Sequence, residues 1–472
     1  MTDGQATDAA AGDLSPRPAD AAAGDGAPPA AGDGAPRAAP PVALYVHLPF
    51  CVSLCPYCDF VVFAGTAARG PGSRIAAFVD ALLVEIDLRA DVNGARHGAP
   101  GAPGRPALET VYLGGGTPSL LPAAAITRIL DAVRRRFGIA PGAEVTLEAN
   151  PGPEDRGDVA GAIETGVTRI SLGAQSLDAA ELRRLGRRHG PADVADAVAA
   201  ARAAGAASVS LDLLYDVPGQ TDATWDATLV GALDLAPDHL SLYALTLDDP
   251  DAEGITGPTG DHLPTNPGAR RWRDRARVEQ DGDRAAAQYE RASDVLAAAG
   301  FRGYELSNWA LPGHESRHNL AYWERRPYEA VGPGAHAFDG VVRRWNAARL
   351  EGYLAALLPG AAAAEGARGA VPAPRPSTRP GAAAQPVLPP GGSETIDADA
   401  AAVEAAILGL RLDHGIPLAV AEAPRFAAAF AWARDTGLVE DVAPGVGRRG
   451  VHRLRLTRRG RLLSNELFAR LV

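Results

Sequence analysis

The sequence of 472 residues contains no lysine; all 46 basic side chains are arginine. That excludes Schiff-base chemistry on a lysine amine and a phosphate loop built around a lysine. Methionine occurs once, at Met1, so no internal thioether is available to a metal. Three cysteines are too few to form a disulfide framework in a chain this long. No apolar run of roughly 18 residues occurs, so no transmembrane segment is expected. Met1-Thr2-Asp3-Gly4 does not start a secretory signal. A cytoplasmic location is therefore expected, where thiols stay reduced and free to act as ligands. Acidic residues outnumber basic ones, 57 to 46, giving a net charge of −11. This argues against nucleic acid as a partner, because binding through counterion release needs a basic surface.

Residues 1–41 are Ala, Gly, Pro and Asp with scarcely any large apolar side chain, and are expected to be disordered. Residues 356–396 read as an Ala/Pro-rich linker, and about 250–268 as a surface insertion. Between them the pattern alternates. Strand-like runs fall at 43–48, 109–113, 144–148, 168–172, 208–213 and 239–245. Helical patterns fall at 76–90, 123–137, 153–165, 192–204 and 222–235. Repeated strand-then-helix units predict parallel strands with right-handed crossovers, hence an α/β fold with a partial (β/α)6 barrel over 42–355. In such barrels the chemistry sits at the C-terminal ends of the strands. Residues 397–472 predict a small winged-helix-like domain. Its helices are expected at 398–412 and 418–436, and its strands at 438–442 and 452–456 around Gly445.

All three cysteines fall within Cys51-Val52-Ser53-Leu54-Cys55-Pro56-Tyr57-Cys58, just after the first strand. The residues alone allow an iron–sulfur cluster, a zinc site completed from elsewhere, or free thiols. A four-iron cluster normally takes four thiolates, and only three exist, so one iron would keep an exchangeable position. Further polar groups cluster at strand ends. Gly114-Gly115-Gly116-Thr117-Pro118 follows the second strand, Glu148 ends the third, Gln175 follows the fourth and Asp212 ends the fifth; Arg187 lies in Leu185-Gly186-Arg187. A carboxylate and amides suit ribose hydroxyls, and an arginine suits a carboxylate. His47, in Tyr45-Val46-His47-Leu48-Pro49-Phe50, is either close to the cysteine site or a satisfied core histidine.

The C-x3-C-x2-C spacing after a first strand resembles the radical S-adenosylmethionine superfamily. That resemblance implies a [4Fe-4S] cluster on Cys51, Cys55 and Cys58. The amino and carboxylate groups of S-adenosylmethionine would chelate the open iron. It further implies Tyr57 near the adenine, and Gly115, Gly116 and Thr117 in the segment that holds the amino group. Within the superfamily, Tyr45–Cys51, Cys58-Asp59-Phe60, Gly114–Ser119, Leu147–Pro151, Arg169–Gln175, Asp212–Thr221, Ser307–Ala310 and Gly332–His336 are similar to the coproporphyrinogen-oxidase-like group. Two branches compete there, an oxygen-independent oxidase of porphyrin biosynthesis and a heme chaperone.

The oxidase branch carries a fourth cysteine where this chain has Phe60. The segment His318-Asn319-Leu320-Ala321-Tyr322-Trp323 matches the H-N-x-x-Y-W stretch associated with heme in the chaperone branch. The resemblance thus implies a protein that binds the cluster, S-adenosylmethionine and heme, and hands heme to an acceptor protein, with a reductant for the cluster. A decarboxylating oxidase and a zinc-binding module are the alternatives. With the three cysteines committed and no internal methionine, an axial heme ligand must be His or Tyr. His318 leads, with Tyr322 and Trp323 placed to stack on a porphyrin; His336 is second. Arg317, Arg325 and Arg326 are propionate partners or simply solvated. No catalytic residue is assigned, and Tyr45 completes the cofactor-side set.

Overall fold

The computed structural model describes residues 37–68, 70–247, 250–359, 385–443 and 451–472. Nearly all of the expected disordered extension, much of the expected linker and the turn at Gly445 lie outside them.

Six strands run side by side and parallel: β1 (Ala43–Leu48), β2 (Leu108–Gly115), β3 (Ile139–Ala149), β4 (Arg169–Gln175), β5 (Ser208–Tyr215) and β6 (His239–Ala244). The crossover helices are α1 (Ile75–His97), α2 (Ala123–Arg136), α3 (Val159–Glu164), α4 (Pro191–Ala203) and α5 (Asp222–Asp234). Side chains alternate between the faces of a strand. One face carries Val46, Val111, Leu113, Val145, Leu147, Ile170, Leu172, Leu211 and Leu240, buried in a single core with Phe78, Leu82, Ile129 and Trp225 from the helices. Each such burial contributes about 1.5–3 kcal/mol. The other residues of the alternation are polar: Tyr45, His47, Thr110, Tyr112, Thr146, Glu148, Arg169, Ser171, Ser210, Asp212, His239 and Ser241. The expected partial barrel is therefore present, with a polar lumen held in register by its apolar outer face.

The sheet stays open and continues past both edges. β7 (Asn308–Ala310) runs antiparallel to β6. β8 (Tyr328–Val331) runs parallel to β1 and leads into the antiparallel β9 (His336–Phe338), β10 (Val342–Asn346) and β11 (Gly391–Thr395). β11 lies inside the expected linker. Its Gly391 and Gly392 press against Trp345 so closely that a Cβ would collide with it; the Pro-Pro-Gly-Gly sequence is here a close strand contact, a tertiary cause that composition does not show.

Two helices were not among those expected: α6 (Pro267–Glu279), which is polar along most of its length, and α7 (Gly282–Ala298), whose Tyr289, Ala292 and Leu296 form a stripe buried in the barrel core. Their starts are capped by Asn266, which accepts from Ala269 N–H, and by Asp281, which accepts from Asp283 and Arg284 N–H. Conversely, the helix expected at 153–165 shrinks to α3, because Asp158 caps Gly161 N–H and Pro151 to Gly157 form turns. A further short helix, α8 (Arg317–Trp323), inserts His318 against the lumen.

After α9 (Leu350–Leu357) and β11, the C-terminal part packs α10 (Ala398–Arg411), α11 (Ala427–Asp435) and α12 (Ser464–Leu471) on a three-stranded sheet. Leu410, Phe430, Leu438, Leu454 and Leu467 form its own core. The expected 418–436 helix divides into Leu418–Ala421 and α11, as Pro424 dictates. No helix among the described residues is long and apolar enough to cross a membrane.

Candidate functional site

The three cysteines sit half-buried and unpaired on the loop that leaves β1. The turn after β2 lies directly beneath them. Gly116 N–H donates to Leu48 O (2.9 Å) and Thr117 N–H to Phe50 O (2.7 Å). A Cβ on Gly116 would meet Phe50 N, Phe50 O and Leu48 O within 3 Å, so only glycine fits. Gly115 has φ +111, and its Cβ would strike the His47 ring at 2.4 Å. The glycine run is thus a close-packing device that ties turn to loop.

A chain of polar contacts then circles the loop. Thr117 Oγ1 donates to Cys51 Sγ (3.4 Å) and accepts from Asn150 Nδ2 (2.9 Å). Arg187 donates to Asn150 Oδ1, to Gly173 O (2.8 Å) and to Cys55 Sγ (3.6 Å). Arg273 of α6, 3% exposed, donates through Nε to Pro56 O (3.1 Å) and through Nη2 to Cys58 O (2.8 Å). Burial pushes the Cys51 thiol up to about 11 and Cys58 higher still, so metal binding here releases protons. Asn150 and Arg273 escaped the sequence reading. Asn150 left a trace, its place before a proline at a strand end; Arg273, one of many arginines on a polar helix, left none.

The donor set fits a four-iron cluster. Three thiols on one loop could take three irons, cationic and hydroxyl donors already point at two of the sulfurs, and a fourth iron would be left for another ligand. Cys51, Cys55 and Cys58 would hold it. Among the described residues no three His, Cys, Asp or Glu side chains converge as a single metal ion would require.

The remaining sequence-selected residues line the lumen near this loop. Glu148 accepts from Tyr112 OH (2.7 Å) and Gly115 N–H (2.9 Å), so it braces the glycine turn. Burial pushes it up to about 7, against those two donors. Asp212 accepts from Ser171 OH (3.2 Å), and burial raises it as well. Gln175 adopts φ +67 at a register shift between Leu172 and Gln175, a strained strand end of the kind that re-aims a side chain. Tyr57 packs toward Trp272 beside Leu185, Val217 and Leu245. His47 is a satisfied core histidine: Nε2–H donates to Val61 O (2.8 Å), so Nδ1 accepts from Tyr45 OH (3.0 Å).

The H-N-x-x-Y-W segment is placed differently from expectation. His318 is 1% exposed, and both ring nitrogens are engaged, Nδ1 with Thr110 Oγ1 (2.8 Å) and Nε2 with Tyr322 OH (2.7 Å). Its ring stacks on Tyr112, and burial holds it neutral, down at about 3. No ring nitrogen is open to iron in this arrangement. Trp323 turns to the C-terminal part, under Arg411. Arg326 pairs with both oxygens of Glu109, Arg325 with Glu404, and Arg317 donates to Gly142 O, so these arginines serve the fold. Tyr322 alone of the segment's aromatic pair lines a cavity of about 320 Å³, together with Tyr45, Phe60, Tyr328, His262 and His336.

Comparison with known proteins places these features. The model of the radical SAM superfamily matches residues 45–230, and that of the HemN C-terminal domain matches 396–463. The chain is 36% identical over 435 residues to a heme chaperone HemW of Mycobacterium tuberculosis, spanning 92% of this chain and 95% of that one. With heme chaperone HemW of Escherichia coli the identity is 37% over 297 residues, or 63% of this chain and 70% of the relative. The solved structure of coproporphyrinogen III oxidase (HemN) from Escherichia coli, a radical SAM enzyme, shares the fold, with a TM-score of 0.67 and 21% identity over 92% of this chain and 90% of that one. Sequence likeness across nearly the whole length, on a barrel whose first loop carries its three cysteines, makes this chain a member of the HemW family of the radical SAM superfamily.

Proposed function

We propose that this protein is a heme chaperone that carries a four-iron cluster and S-adenosylmethionine, binds heme and passes it to an acceptor protein. The observation that carries this reading is the full-length similarity to HemW relatives, joined to Phe60 at the position where the oxidase branch has a further cysteine. Phe60 is 64% exposed and offers the cluster nothing. In this reading Cys51, Cys55 and Cys58 hold the cluster, which when bound and reduced supplies one-electron chemistry and an open iron. Gly115, Gly116 and Thr117 bring backbone groups close to S-adenosylmethionine, and Glu148 keeps that turn in place. Gln175 and Asp212 face the ribose, Arg187 the methionyl carboxylate and Tyr57 the adenine. Reduced thiols imply work in a reducing compartment such as the cytoplasm, with an external reductant for the cluster.

The test is a titration of heme into anaerobically reconstituted, cluster-loaded protein, with iron counted per chain, followed by incubation with coproporphyrinogen III and S-adenosylmethionine. Saturable heme binding without decarboxylated product supports the chaperone. Formation of protoporphyrinogen overturns it in favour of the oxidase, whose fold this chain shares.

A further inference from the structure

We propose that the C-terminal part latches the short helix α8, with Glu404 and Arg411 as positioning residues that keep Tyr322 closed on His318 until the helix is released to heme. This rests on the heme-binding reading above and names what controls access to that site.

The need for a release comes from the segment's own bonds. An axial ligand in this chain is a His or a Tyr. In α8 the two block each other, His318 Nε2 with Tyr322 OH at 2.7 Å. The other nitrogen, Nδ1, is held by Thr110 Oγ1 (2.8 Å), and the ring lies 5.0 Å from that of Tyr112 and 6.5 Å from that of Tyr45. With the ring hemmed in on the lumen side, Nε2 opens only when Tyr322 moves away. Tyr322 lines the cavity, so its departure would turn Nε2 toward that space, while Thr110 keeps the ring oriented as a second partner does for a metal-bound histidine.

The start of α8 is fixed to the barrel. Glu144 accepts from Arg317 N–H and His318 N–H (3.1 Å each), and Ser316 Oγ accepts from Asn319 N–H. The end of α8 is held by the C-terminal part. Past Trp323 the chain turns at Arg325, whose φ of +52 is a left-handed conformation that few non-glycine residues adopt. Arg325 donates to Ala401 O and to one oxygen of Glu404 (3.1 Å each), both on α10. The other oxygen of Glu404 accepts from Arg343 (2.6 Å) on β10, so one carboxylate ties the exit of α8 to the sheet. The Arg411 guanidinium, in the last turn of α10, lies 5.1 Å from the Trp323 ring and 5.8 Å from that of Phe468.

This contact is incompletely satisfied. Trp323 Nε1, Arg325 Nε and Arg411 Nε are all buried with no hydrogen-bond partner among the described residues. A buried donor left unpaired costs stability that water restores on exposure. Three of them at one contact, beside a left-handed turn, narrow the gap between closed and open states. Release at Glu404 and Arg411 then lets α8 pivot about its fixed first turn, which moves Tyr322 more than His318.

Hydrogen exchange of the cluster-loaded full chain, read on peptides covering 317–323, reports the release; hemin titration of the same samples reports its consequence. Glu404→Gln should raise the open population, and with it both the exchange rate of α8 and the apparent hemin affinity, about tenfold. Arg411→Lys, which loses the planar contact with Trp323, should act in the same direction less strongly. Exchange in β2 to β5 should match the wild type. A residue that merely supports the fold would weaken binding when changed, so the sign of the effect decides. Wild-type exchange of α8 in both variants, or faster exchange with unchanged or weaker hemin affinity, overturns the latch. Absence of saturable hemin binding in the wild type sinks the heme reading itself, whereas intact binding without this coupling sinks the latch alone.

Discussion

Replacing Arg273 by alanine tests whether the cysteine loop is held from outside. Arg273 is 3% exposed and its guanidinium donates to Pro56 O at 3.1 Å and Cys58 O at 2.8 Å, the carbonyls of the residue after Cys55 and of the last cysteine itself. Hydrogen bonds from a charged donor contribute roughly 1.5–3 kcal/mol each. Water regains access to the freed carbonyls on an open loop, so the lower end applies, about 3 kcal/mol for the pair. Every 1.4 kcal/mol is about tenfold, so the ordered loop loses on the order of a hundredfold in population. The outer core of the barrel is untouched, and the melting temperature should change little. The assay is anaerobic reconstitution with iron and sulfide, an iron count, and a chelator challenge followed by absorbance. Arg273→Ala should hold less iron and release it at least tenfold faster. Arg273→Lys should fall between, because an ammonium is a point donor and cannot span both carbonyls as a planar fork does. Full iron content with wild-type release in Arg273→Ala would refute the reasoning.

Gly115→Ala places a methyl about where the His47 ring lies, at a φ of +111. It should lower S-adenosylmethionine affinity of the cluster-loaded protein at least tenfold in equilibrium dialysis; unchanged affinity removes the turn from that role. The cluster-free protein should lose stability in acid. Burial holds His47 and His189 down at about 4 and His318 at about 3, against 6.5 when unfolded. The unfolded chain therefore takes up protons first, and stability present above about pH 6.5 is lost as pH falls toward 4. At pH 5 that amounts to about 2 kcal/mol per histidine, opposed by about 2 kcal/mol from Glu148, whose raised carboxyl is relieved on protonation. Urea unfolding at pH 7 and pH 5 checks the sign; equal midpoints would contradict it. Truncating His318 to alanine should cost about 3–5 kcal/mol, since Thr110 and Tyr322 hydroxyls lose a buried partner and a void opens. Thermal denaturation reads that cost, and a wild-type melting temperature would show the bonds to be idle.

What the sequence determined by itself was local or periodic. The strand-and-helix alternation from Ala43 to Ala244 follows from side chains that change face every residue in a strand and every few residues in a helix. The cysteine trio, the glycine run and Glu148 were visible because their spacing fits within one loop or marks one strand end. The features that could not be read in this way depend on partners distant in the chain. Arg273 lies 215 residues from the carbonyl of Cys58. Thr110 and His318 are 208 residues apart, and Asp261 and His336 are 75 apart. Which hydrogen bonds a histidine makes is set by packing alone: Thr110, distant in the chain, and Tyr322, on the same helix, close both ring nitrogens of His318 inside the lumen.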